Sequence, residues 1–389
     1  MRSQRHRDGL DDYLDRHVPA TPILVIDLQR IAERFAALRR AMPEAAIRYA
    51  VKANPDPEVL RLLASLGSGF DVASPLEIEL CLRQGAAPET ISYGNTIKKP
   101  ADIALAHAEG IRMFTTDSEG DVAHLATHAP GAQLCLRLLV PSPGARTPFG
   151  RKFGVAPELA SDLVLRAAEL GLRPRGLSFH VGSQHTDPTA WEAGIAVAST
   201  VFRELAQRGV ALDTINLGGG FGVRYREAVP ELSEYAAALR RALARGFPAR
   251  TPRLMIEPGR IVVADAGVIR SEVVAVSRRF PDDPRRWVYL DVGRYNGLAE
   301  TENEAITYRL RTRHDGGPTG PVVLAGPTCD GDDVLYQRTP YELPLALRPG
   351  DHVDILSAGA YTASYSSVGF NGFPPLASRC IGSQQIVGR

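Results

Sequence analysis

From about residue 45 to residue 262, short apolar runs alternate with longer stretches whose apolar residues recur at i, i+3 and i+4, the rhythm of strand followed by amphipathic helix. The runs predict eight strands: AIRYAV (46–51), GFDVAS (69–74), ISYG (91–94), RMFTTD (112–117), LCLRLLV (134–140), GLSFHV (176–181), TINLG (214–218) and RLMIE (253–257). Between them PEVLRLLASLG, PLEIELCLRQG and PADIALAHAEG each open near a proline and stop at a glycine, as helices do. Single helices between strands imply right-handed crossovers and parallel pairing. Eight such units predict a (β/α)8 TIM barrel, with an open doubly wound sheet as the runner-up.

After about residue 266 the helical pattern nearly vanishes. Alternating, β-branched runs take over at VIRSEVVAV (268–276), RWVYLDV (286–292), GPVVLAG (320–326) and DHVDILSAGAYT (351–362). They predict a second, C-terminal domain, an antiparallel β-sandwich or barrel, which the strand PILVIDL (22–28) joins. The expected division is a barrel over 27–266 and a β-domain of 1–26 plus 267–389; at 389 residues the chain has length for two domains.

Composition narrows the function mainly by exclusion. Forty-five basic against 44 acidic residues leave a net charge of +1, without the basic footprint of a nucleic-acid partner. No window approaches the roughly 18 apolar residues of a membrane span, and the basic start MRSQRHRDGLDDYLDRH lacks an apolar signal core, so a cytoplasmic protein is expected. Cys81, Cys135, Cys329 and Cys380 lie too far apart for a Cys-x-x-Cys metal site, and reduced thiols with no metal are expected. The glycines at 218–222 fail the dinucleotide fingerprint because Val223 stands where its third glycine belongs.

A parallel barrel keeps its active site at the C-terminal strand ends, and the polar residues there are Lys52, Asp71, Asn95, Arg137, His180, Gly218–Gly220, Glu257 and Arg260. Each has a bland alternative: a solvated loop lysine, a satisfied core histidine, a tight glycine turn, a local ion pair. Together they supply an amine for an aldehyde, beside the apolar flank Tyr49-Ala50-Val51, a carboxylate for a pyridine nitrogen, and glycine and arginine donors for a phosphate. That set points to pyridoxal 5'-phosphate (PLP). A carboxylate about 3 Å from the ring nitrogen, at an effective dielectric of ~20, favours its protonated form by about 5 kcal/mol before desolvation.

These segments carry a resemblance. YAVKAN, FDVAS, SFHVGS, GGGFG, EPGR, GPTCDG and FNGF, in this order over nearly the whole chain, resemble the fold-type III PLP-dependent decarboxylases of ornithine, lysine, diaminopimelate and arginine. GPTCDGDD (326–333) and FNGFPPL (370–376) are most similar to the ornithine and lysine/ornithine enzymes; diaminopimelate enzymes usually carry Cys-Glu in place of Cys329-Asp330. The resemblance implies that Lys52 bears the cofactor, Glu257 pairs with its ring nitrogen, His180 stacks on the ring, and Asp71 and Arg137 support it. It assigns the phosphate to Ser183, Gly219, Gly220, Gly259, Arg260 and Tyr361. Cys329 would protonate the α-carbon, and Cys329 and Asp330 would reach into a partner subunit's site, making a homodimer with shared active sites. Tyr295 and Asp330 would touch substrate. The acid for a distal ammonium, following Gly293-Arg294-Tyr295, aligns best with Glu304, with Glu300 and Glu302 as rivals. GRKFGV (150–155), in a Pro/Gly-rich stretch starting at PSPGARTP, is similar to a mobile loop over the site. The expected reaction is decarboxylation of a basic L-amino acid, ornithine first and lysine second, feeding polyamine synthesis or a specialised pathway. The alternatives are diaminopimelate, arginine or another diamino acid, or a catalytically dead regulator similar to antizyme inhibitors; Glu257 argues against a racemase.

Overall fold

The computed structural model describes residues 9–17, 19–141, 144–148 and 150–382. Ser142 and Pro143 of the PSPGARTP stretch, and residues 1–8 of the basic start, lie outside the described residues. Strand β1 (Ile23–Asp27) precedes eight strands, β2 (Ala45–Ala50), β3 (Gly69–Val72), β4 (Ile91–Tyr93), β5 (Met113–Thr116), β6 (Gln133–Arg137), β7 (Arg173–Ser178), β8 (Thr214–Asn216) and β9 (Arg253–Ile256), which close into a barrel. Every neighbouring pair in it is parallel, including the closing pair β2–β9.

The helices between strands begin where the sequence supplies a cap. Asp56, Ser74 and Ser118 each accept an amide hydrogen bond from the first turn of the following helix, and Pro57 and Pro75 occupy first-turn positions with no amide to leave unpaired. Strand–cap–helix repetition places the strand ends and the loops after them at one rim, where Lys52, Asp71, Arg137, His180 and Glu257 emerge.

The second sheet comprises β10 (Gly267–Ser277), β11 (Arg286–Leu290), β12 (Arg309–Thr312), β13 (Thr319–Ala325), β14 (Val334–Pro344), β15 (His352–Leu356) and β16 (Ala377–Ile381), with β1 pairing β10 and β16. It is mostly antiparallel, as expected, although β11–β13 and β1–β16 pair in parallel. The reason is the long crossover from β11 to β13, which lets both run the same way. A helix at Gly9–Arg16, absent from the sequence reading, buries Leu10 and Leu14 against Val25 and Val268. Arg270 grips Asp354 through two nitrogens at 2.8 and 3.0 Å, and Arg311 bridges Asp354 to Asp11.

By packing, the barrel unit is Ala32–Gly222 with Val229–Ile261, where the expected limits are 27 and 266. Val223–Ala228 goes with the β unit: Tyr225 packs edge-on against Tyr308, and Arg226 lies 4.4 Å over the Tyr341 ring and donates to the Pro340 carbonyl. Among the described residues no helix is long and apolar enough to cross a membrane.

Candidate active site

The barrel rim holds a cavity of about 280 Å³ lined by Lys52, Asp71, Asn95, Arg137, His180 and Glu257. A larger groove of about 660 Å³ opens near Arg253 and Leu254 of β9, but its Arg240 is already paired with Glu44, so chemistry and not size selects the site. Lys52 sits in a short turn, Val51–Ala53, directly after β2. The turn is pinned from below: the Ala50 amide donates to the Pro258 carbonyl, and the buried Tyr49 hydroxyl to the Asn54 carbonyl. Its ammonium is 3.2 Å from Asp71 Oδ2, while Asp71 Oδ1 is buried without a hydrogen-bond partner. A Cβ on Gly94 would fall 1.9 Å from that oxygen, so glycine is required there.

Glu257 accepts a 2.5 Å hydrogen bond from Asn216 Nδ2. Burial, then the Asp71 charge, push its pKa up to about 7 against the pull of Lys52, Asn216 and Arg137. His180 Nδ1 accepts from the Gly182 amide at 3.0 Å, which puts the ring proton on Nε2. Burial, with the charges of Arg137 and Lys52, holds this imidazole neutral far below its ordinary value. Phe153, in the expected mobile loop, lies 4.8 Å under the Arg137 guanidinium, and the Gly154 amide is tied to Asp117.

Three residues at this rim escaped the sequence reading. Asn216 holds Glu257 and also takes the Gly218 amide; its only signal is a polar residue ending TINLG. Glu77 accepts from the Ala73 amide at 2.6 Å, and burial together with Asp71 raises it to about 7; the Ser74-to-Glu77 capping spacing was its signal. Lys98 is fully buried, its ammonium donating to the Asn95 and Thr115 carbonyls and to Asp121 at 3.0, 2.8 and 2.7 Å, which fixes two wall residues of the cavity. It stands before Lys99-Pro100, off any strand end and outside every motif, so nothing in the sequence singled it out.

The glycine run forms a cradle. Gly218 and Gly220 have φ of 65° and 102°, and a Cβ at 218, 219 or 220 would approach the carbonyls of Phe179, Glu257 and Gly182 to 2.6, 2.6 and 2.5 Å. The Ser183 amide bonds to Thr147, leaving its hydroxyl to offer, and the buried Arg260 follows Gly259 just after β9.

The remaining candidates belong to the β unit. Cys329 is exposed, with its amide and Sγ on Asn371 Oδ1 at 3.2 and 3.4 Å. Tyr295 packs 4.6 Å from the Phe370 ring, and desolvation followed by Asp330 raises its hydroxyl pKa. Tyr361 follows β15 with φ 55°. Glu304 departs from expectation: both its oxygens are occupied by donors at 337–339, so it has no acceptor to turn toward a substrate ammonium. Glu300 is part-buried and Glu302 exposed.

Residues 28–264 match the family model described as pyridoxal-dependent decarboxylase, pyridoxal binding domain. A lysine/ornithine decarboxylase of Selenomonas ruminantium is 35% identical over 361 residues, covering 92% of this chain and 89% of that one. The chain belongs to the fold-type III PLP-dependent decarboxylases.

Among solved structures, this decarboxylase is similar to the lysine/ornithine decarboxylase from Vibrio vulnificus complexed with cadaverine (TM-score 0.86, 31% identity, covering 96% and 99% of the two chains). It is also similar to the Paramecium bursaria Chlorella virus arginine decarboxylase bound to agmatine (TM-score 0.87, 26% identity, 96% and 99%). It is thus a PLP-dependent decarboxylase of a basic amino acid. The residues present fit the cofactor: an amine at a cavity mouth, an oxygen of Asp71 with no bond, a buried carboxylate, and a glycine cradle that no side chain could enter. PLP supplies an aldehyde that captures the substrate amine and a ring that accepts the electron pair released with carbon dioxide.

Proposed function

We propose that this enzyme decarboxylates L-ornithine first and L-lysine second, as a homodimer with shared sites. In this reading Lys52 bears the cofactor and later helps release product, and Glu257 keeps a proton on the ring nitrogen. Asp71, 3.2 Å from the Lys52 ammonium, would hold that ammonium whenever it is free of the cofactor. The neutral His180 offers its ring face, with Arg137 beside it. The phosphate goes to Gly219, Gly220, Gly259, Arg260, Ser183 and Tyr361. Cys329 protonates the α-carbon across the subunit boundary.

The observation that carries the substrate class is Asp330 beside Cys329 in GPTCDG, an acid for a distal ammonium in a chain whose relatives include lysine/ornithine decarboxylases. With Glu304 engaged elsewhere, Glu300 or Glu302 is the second acid. A buried ammonium deprived of its carboxylate costs ~3–5 kcal/mol, enough to dictate substrate choice. The exposed Cys329, Tyr365, Val368 and Phe370 support burial against a second copy. The cytoplasm is the compartment this reading assigns, and four cysteines too far apart for a dense disulfide framework accord with it.

A panel of ornithine, lysine, arginine and diaminopimelate, with carbon dioxide and amine product both detected, tests the substrate; preference for arginine, as in the viral neighbour, overturns ornithine. Mixing Lys52→Ala with Cys329→Ala subunits tests sharing. Random reassortment of two inactive subunits leaves about a quarter of all sites intact in a closed two-fold dimer, and no recovery points to self-contained sites.

A further inference from the structure

The turn that carries Glu300 and Glu302 is itself held by a carboxylate. Asn303 and Glu304, at the end of Ala299–Glu304, adopt left-handed backbone in succession, with φ of 53° and 58°. Non-glycine residues keep such geometry only where their surroundings enforce it. Here the enforcement comes from β14. Its pairing with β13 runs to Val322↔Tyr341, breaks, and resumes at Leu324↔Tyr336, so residues 337–340 bulge off the ladder. Three consecutive amides of the bulge turn onto one acceptor. Gln337 and Arg338 donate to Glu304 Oε1 at 2.9 and 2.8 Å, and the Thr339 amide and hydroxyl donate to Oε2 at 2.7 and 2.6 Å. Successive amides converging this way make an anion nest, and the chain fills it with its own side chain. Although burial opposes it, the Thr339 hydroxyl and the three amides hold the carboxyl down to about 2.

We propose that Glu304 is a positioning residue for substrate choice: by anchoring Ala299–Glu304 to the β14 bulge, it sets how the Glu300 and Glu302 carboxylates meet the distal ammonium of the substrate. This rests on the reading above, in which one of those acids takes the substrate tail. Four donors on two oxygens demand a carboxylate. An amide of equal size offers one accepting oxygen and an NH2 that opposes the donors facing it. Glu304→Gln therefore releases one arm of the nest, and the left-handed pair with it.

The experiment measures kcat and KM of the holoenzyme for L-ornithine and L-lysine in the wild type, Glu304→Gln, Thr339→Val, Glu300→Gln and Glu302→Gln. Glu304→Gln is expected to raise KM for the better substrate about tenfold with kcat within about threefold, and to shift the ornithine-to-lysine ratio of kcat/KM about fivefold, as the loss of one or two charged hydrogen bonds acting at a distance allows. Thr339→Val removes one donor and shifts the ratio less, in the same direction; it decides the matter if Glu304→Gln fails to fold. If neither Glu300→Gln nor Glu302→Gln raises KM, the tail reading falls and the proposal with it. If one of them raises KM while the ratio stays put in Glu304→Gln, or in Thr339→Val where that variant decides, the proposal alone falls.

Discussion

Two regions of the molecule bury carboxylates and treat them in opposite ways. At the barrel rim Asp71, Glu77 and Glu257 crowd one another with few donors: Glu77 and Glu257 are pushed to about 7, and Asp71 keeps a buried oxygen with no hydrogen bond. In the β unit Glu304 has four donors and sits near 2, and Asp333 takes the amides of Arg294 and Thr328 and the Thr328 hydroxyl. A scaffold satisfies its buried polar groups, whereas a site prepared for a ligand leaves some wanting. The difference marks the rim as the place of chemistry more firmly than the dimensions of its cavity do.

The comparison breaks most visibly at Lys52. Its ammonium is the cation nearest Asp71, and the reading makes it the covalent anchor. Lys52→Ala should lower kcat by about 10⁴-fold and abolish the visible absorbance of the bound cofactor, the upper range for loss of an acid–base and nucleophilic group. Persistence of the band in a spectrum of the purified variant would move the anchor to another lysine. Glu257→Ala comes next. The roughly 5 kcal/mol that its charge supplies at the ring nitrogen, discounted for the desolvation of Glu257 itself, predicts a kcat about 10³-fold lower. Steady-state rates at saturating cofactor check it; a change below tenfold means that the carboxylate does not face the ring.

Much of this was legible in the chain, and the exceptions share a cause. Short apolar runs between period-3.6 stretches marked the eight barrel strands, because a parallel barrel strand is covered by the barrel interior on one face and by helices on the other. RLRT at 309–312 was invisible: its arginines look like surface charge, yet Arg311 lies in the ion network with Asp354 and Asp11. The strand at 334–344 was hidden by Gln337-Arg338-Thr339-Pro340, the bulge that receives Glu304. At the rim, charged residues ending strands could be read directly. Asn216 and Lys98 could not, because their roles lie in partners remote in sequence or in the carbonyls that surround them.

Lys98 sharpens the comparison, since its ammonium makes three hydrogen bonds at the edge of the rim, although its partner Asp121 keeps one buried oxygen without any. Lys98→Met leaves Asp121 buried without its cation, and a fall of ~3–5 kcal/mol in unfolding free energy is expected, read from the urea midpoint at constant slope. Lys98→Arg should recover part of it. A loss under 1 kcal/mol would mean that water replaces the ammonium.

The smallest effect tests the contrast most directly, through its sign. Glu257 in the cofactor-free protein is raised from 4.5 to about 7, so its contribution to stability is complete below pH 4.5 and is lost as pH climbs through 7. Glu304 is lowered from 4.5 to about 2; its contribution is present above pH 4.5 and is lost as pH falls toward 2. Glu257→Gln, which cannot ionise, should therefore gain on the cofactor-free wild type between about pH 5 and 8. Glu304→Gln should trail the wild type by about 1–3 kcal/mol near neutrality, the scale of hydrogen bonds to a charged group. That deficit should shrink as the pH falls below 4.5. Urea midpoints of the three proteins across pH 3 to 8 supply both slopes. If the two differences run with the same sign, the carboxylates of the rim and of the β unit are not held in opposite states, and the distinction between prepared site and satisfied scaffold fails.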